Sequence, residues 1–61
     1  MPGLTQQELH MLEQQLQYEQ AMVRKYKFCY QFCNDPQLKI KCEQIAARHA
    51  DHYMKLLDTI S

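Results

Sequence analysis

Three sets of side chains in this sequence could do chemistry: a carboxylate with two imidazoles inside apolar helical stripes, three cysteines, and four tyrosines. In the first half, Leu9, Leu12, Leu16, Glu19, Val23, Tyr26, Tyr30 and Cys33 follow alternating steps of three and four, the spacing of inward positions on a packed helix. One member is a carboxylate. The second half repeats the spacing at Leu38, Cys42, Ile45, His49, His52 and Leu56, and two consecutive members are histidines. His49 and His52, three apart, share a helix face. Two imidazoles and a carboxylate supply three donors and leave positions open, so Glu19, His49 and His52 form a candidate site for a divalent metal, zinc or iron. The same groups equally suit a satisfied hydrogen-bonded cluster that fixes the register of two helices.

Cys29, Cys33 and Cys42 are odd in number, lie in helical patterns, and have neither CxxC spacing nor a fourth ligand. They are expected to be reduced, structural thiols, with antiparallel pairing placing Cys29 opposite Cys42 and Cys33 one turn beyond Cys29; the alternative is a redox-active bundle in which the three are thiol participants. Tyr18, Tyr26, Tyr30 and Tyr53 are expected mostly in the core, where a phenol could support Glu19 or a histidine. The sequence contains no glycine-rich phosphate loop, nucleophile triad or paired catalytic carboxylates.

The elements that must position these groups are two helices. Thr5 and Glu8 fit a capping box, with Leu4 and Leu9 at the staple positions. No Pro or Gly interrupts the chain from there to Asn34, Asp35 and Pro36, where Asp35 suits an N-cap and Pro36 a first helical position. The spacing therefore predicts helix 1 over about 5–33, a turn at 34–36 and helix 2 over about 36–60. Folded antiparallel, this all-α hairpin sets Tyr26 opposite Ile45, Val23 opposite His49, and Glu19 opposite His52. Each helix also carries a second apolar stripe, through Met11, Tyr18, Met22 and Cys29 on the first and Ala46, Ala50, Tyr53 and Leu57 on the second. One partner helix cannot cover so wide an arc, so pairing of two hairpins into a homodimeric four-helix bundle is expected.

Composition bounds the rest. With 61 residues the chain is one small domain that needs a staple, metal or partner. Seven Lys plus Arg balance seven Asp plus Glu, which removes the electrostatic case for nucleic acid or an anionic membrane. Arg24, Lys25, Lys27, Lys39 and Lys41 gather near the turn and read as a solvated surface ahead of the alternative, a patch for an anionic partner. No stretch approaches the length of a membrane span, and Met1 to Thr5 is not followed by the apolar run of a signal peptide, so an intracellular protein is expected.

The run LTQQELHMLEQQLQYEQAMVRKY, the NDPQLK turn and IAARHADHYMKLL, together spanning Leu4 to about Leu57, resemble the short spore coat proteins of the Coat F type, which are classed with ferritin-like helical proteins. The resemblance implies half of a ferritin-like bundle, a non-enzymatic structural role in the spore coat of a spore-forming bacterium, and other coat proteins as partners. In ferritin-like di-iron proteins one helix supplies a Glu and the next a Glu-x-x-His. Glu19 matches the first Glu and His52 the His, while His49 stands where the second Glu would be. A dimer of this chain would offer two carboxylates and four imidazoles, a donor set better suited to zinc or separate mononuclear ions than to a coupled di-iron oxidase centre.

Overall fold

The computed structural model describes residues 3–60; Met1 and Pro2, the start of the segment read for a leader, lie outside them. Helix α1 runs Gln6–Phe32 and α2 runs Pro36–Ile60, packed against each other as a hairpin about three times longer than wide, 47 × 15 × 11 Å. Both helices fall within a residue of the boundaries read from sequence.

Each helix begins where its local chemistry supplies a cap. The Glu8 amide donates to the Thr5 hydroxyl at 3.0 Å and the Thr5 amide donates to the Glu8 carboxylate at 3.1 Å, closing the box that satisfies two free N–H groups of the first turn. At the other start, the Asp35 carboxylate accepts from the amides of Gln37 at 2.9 Å and Leu38 at 3.3 Å, while Pro36 has no N–H to satisfy. Helix α1 ends at Cys33, whose backbone is extended yet still donates to the Cys29 carbonyl at 2.9 Å. Between these caps, α1 and α2 have 27 and 25 residues with no internal Pro or Gly to break them.

Two helices meet along a single line, so the core is thin. Among the described residues only Cys42, Ala46 and Glu19 are buried, with Leu12, Leu16, Met22, Val23, Tyr26, Ile45, His49, Tyr53 and Leu56 half-buried beside them. Tyr18 and Tyr30 are exposed, contrary to the expectation of a mostly buried tyrosine set: a single neighbouring helix covers only part of a wide apolar arc, leaving Tyr18 on the second stripe and Tyr30 at the turn end of the seam open on one side. Near the turn the Lys39 ammonium lies 5.2 Å from the centre of the Tyr30 ring, a cation–π contact between the helices.

The cysteines differ from the sequence expectation. Cys29 and Cys42 are joined by a disulfide with their Cα atoms 6.1 Å apart, and only Cys33 is free. Antiparallel register places the two on facing turns within bridging distance, a geometry that the count of cysteines and their helical setting do not encode.

Candidate metal centre

Glu19 is the buried carboxylate at the middle of the hairpin, 4 % exposed. A charged group at that position is tolerated only if its oxygens are satisfied. Both are. Oε1 lies 2.5 Å from His49 Nδ1 across the seam, and Oε2 accepts from the Gln15 amide, one turn earlier on α1, at 2.9 Å. With Glu19 ionised, His49 Nδ1 carries the hydrogen and donates it. The hydrogen bond from His49 holds the Glu19 carboxyl below its ordinary value of 4.5, against the opposing effect of burial, with Gln15 and the two histidine charges adding to the lowering.

His52 completes the group at its rim. Its Nδ1 is 3.6 Å from the same Glu19 oxygen, and its side chain is 45 % exposed against 18 % for His49. The three residues named from sequence are therefore brought together, but the pairing differs from the expected level match: Glu19 bonds to His49, not first to His52. Rotation decides this. His52 is three residues on from His49, about 60° short of a full turn, so His49 sits on the seam and His52 at its edge.

One ligand atom from each residue lies within 4.8 Å of the others. Metal–donor bonds of about 2.0–2.2 Å at tetrahedral angles set donor atoms about 3.3–3.6 Å apart, so the His52–Glu19 pair already has the right span and the His49–Glu19 pair must open by about 1 Å. A metal and the bridging hydrogen compete for His49 Nδ1. Binding at this site would move the His49 hydrogen to Nε2 and leave Glu19 as a one-oxygen ligand, because Gln15 occupies Oε2.

The surroundings of the group differ from the phenol support expected of the tyrosines. The Tyr26 ring stacks nearly parallel on His49 at 6.4 Å between centres, and Tyr18 meets it edge-on at 6.0 Å. The tyrosines thus contribute rings, not hydroxyls, to the cluster, while the Tyr53 hydroxyl accepts from the Gln20 amide on the other side of the hairpin. Gln15 was detectable in principle, since a residue four before Glu19 lies over it on the same face.

The two sides of the hairpin differ. One carries a surface with two hollows that share Ala50, the first between Val23, Tyr53 and Met54 with Gln20 and Arg24 at its edge, the second between Tyr30 and Ala46 with Lys27 and Glu43 at its edge. His52, about 200° of helix rotation from Ala50, faces away from it. Among the described residues no helix is long and apolar enough to cross a membrane. No family model, curated protein or solved structure matches this chain.

Proposed function

We propose that this chain is a non-enzymatic structural protein that works as a homodimer, two hairpins pairing into a four-helix bundle. The observation that carries this reading is uncovered surface. The chain exposes 5030 Å², whereas a compact monomer of 7.3 kDa exposes about 4200 Å² by the usual scaling with mass. The excess, about 850 Å², is close to the roughly 800 Å² each partner buries in a standard interface. Large apolar side chains supply much of it, with Met11, Phe28, Phe32, Ile40 and Met54 all more than half exposed. The resemblance of three segments to short spore coat proteins of the Coat F type supports the spore coat as its setting and other coat proteins as further partners. Sedimentation equilibrium at micromolar concentration tests the dimer: twice the chain mass is expected, and a monomer that melts cooperatively would overturn the reading.

A second reading is favoured by the Glu19, His49 and His52 donor set: a bundle that binds a divalent metal, zinc or iron, in its interior. Protein purified without chelator or tag should then carry metal by elemental analysis. Added Zn²⁺ should raise the melting temperature of the wild type and not of His52→Ala, because a ligand that binds only the folded state stabilises it by mass action. Equal shifts in both proteins would remove the metal and leave the cluster as a register device.

A further inference from the structure

We infer that Cys29, Cys33 and Cys42 form an internal thiol–disulfide exchange centre, in which the Cys33 thiol attacks the disulfide at the Cys29 sulfur and moves the bond from between the helices to within one turn of α1. Three observations place the groups for this step. Cys33 is the free thiol, half-buried, and lies four residues after Cys29 with its N–H on the Cys29 carbonyl at 2.9 Å. Residues so spaced share a helix face with Cβ atoms about 5–6 Å apart, which a disulfide must shorten to about 3.5–4.5 Å. An interior helical residue could not supply that movement, but Cys33 is the C-cap, already extended at φ −84° and ψ 135°, and its shift breaks one end bond only. Its sulfur is held elsewhere by no more than a weak 3.7 Å contact to the Asp35 carbonyl.

Access selects which sulfur is attacked. Cys29 is half-buried and on the attacker's own helix, whereas Cys42, at 2 % exposure, is the most enclosed of the buried residues. The step balances without an external oxidant or reductant. Cys33 gives its proton to water and its thiolate forms a bond with the Cys29 sulfur as the Cys29–Cys42 bond breaks; Cys42 leaves as a thiolate and takes up a proton. One disulfide and one thiol stand on each side. The consequence is mechanical: a bond spanning 13 positions and both helices is exchanged for one that spans a single turn of α1 and leaves α2 unconstrained. The released Cys42 thiol stays in the seam as a small apolar side chain, so the bond can return.

The test maps connectivity in the full chain. Disulfide-bonded protein is incubated without reductant, quenched in acid denaturant, and its thiols are blocked with a maleimide. Digestion with trypsin and chymotrypsin, which cut after Lys27, Tyr30, Phe32 and Lys41, then separates the three cysteines for mass spectrometry. Exchange predicts a steady fraction of chains with Cys42 blocked and Cys29 linked to Cys33, the same at every protein concentration and lost in Cys33→Ser and in Cys33→Ala. Blocking confined to Cys33, equal Cys42 blocking in the variants, or a Cys29–Cys33 link that grows with concentration would overturn it.

Discussion

The helices are tied across their seam at two levels about 10–15 Å apart, and the ties obey different chemistry. Near the turn the link is covalent, Cys29 to Cys42, with the buried Cys42 and Ala46 beside it. At the middle it is polar, Glu19 to His49, with His52 at the rim and Gln15 on the second oxygen. A disulfide acts mainly by restricting the unfolded chain and is indifferent to protons and metal ions. The polar link acts only in the folded state and responds to protons. A seam too thin for a conventional core is thus held by one tie that reductants release and one that acid releases.

The largest effect expected from breaking this comparison is at the covalent tie. Closing a loop of this size is worth about 3 kcal/mol, so reduction, or Cys29→Ser, should lower stability by about that amount in denaturant melts. Equal melts with and without reductant would mean that the two ties do not differ in the way described. At the polar tie, Glu19→Gln and His49→Ala should each destabilise the protein, and the double substitution should cost clearly less than the sum, because both remove one contact. Additive losses would separate the two residues.

Acid sharpens the contrast. Glu19 has a folded-state pKa below its ordinary value, so the stability it contributes is fully present above about 4.5 and is lost as pH falls through the lowered folded value. Melts repeated on the acid side of 4.5 should therefore show a decline that is smaller in Glu19→Gln, whether or not the disulfide is intact. Glu8 is lowered in the same direction by its bonds to Thr5, so a residual decline in Glu19→Gln should vanish in a variant that also carries Glu8→Gln.

How much of this was legible in the sequence follows from how local each cause is. Thr5, Glu8, Asp35 and Pro36 act on neighbours within four positions, so the caps and both helix boundaries could be read directly. The grouping of Glu19, His49 and His52 was legible because periodicity marks seam positions whatever their chemistry. Which histidine meets Glu19 was not, because a level match ignores rotation about the helix axis. The disulfide was half legible: register placed Cys29 opposite Cys42, but oxidation is not a property of spacing. The stacking of Tyr26 on His49 and the exposure of Tyr18 depend on which part of a wide apolar arc the single partner helix covers.

The smallest effect lies in the two helix starts, which stand at opposite ends of the same comparison. Thr5 caps α1 at the open end, where no covalent cross-link holds the first turn, while Asp35 caps α2 inside the loop closed by Cys29 and Cys42. Replacing either with Ala removes hydrogen bonds worth about 1 kcal/mol. While the disulfide is intact, a frayed start of α2 remains tethered and refolds in place, so Asp35→Ala should cost less than Thr5→Ala. After reduction the tether is gone, and the cost of Asp35→Ala should rise toward that of Thr5→Ala, which itself stays unchanged. Amide hydrogen exchange at Leu38 and Lys39, read against Leu9 and His10, reports the two starts separately. If Asp35→Ala costs the same in oxidised and reduced protein, the covalent tie does not reach the start of α2, and its influence ends at the seam.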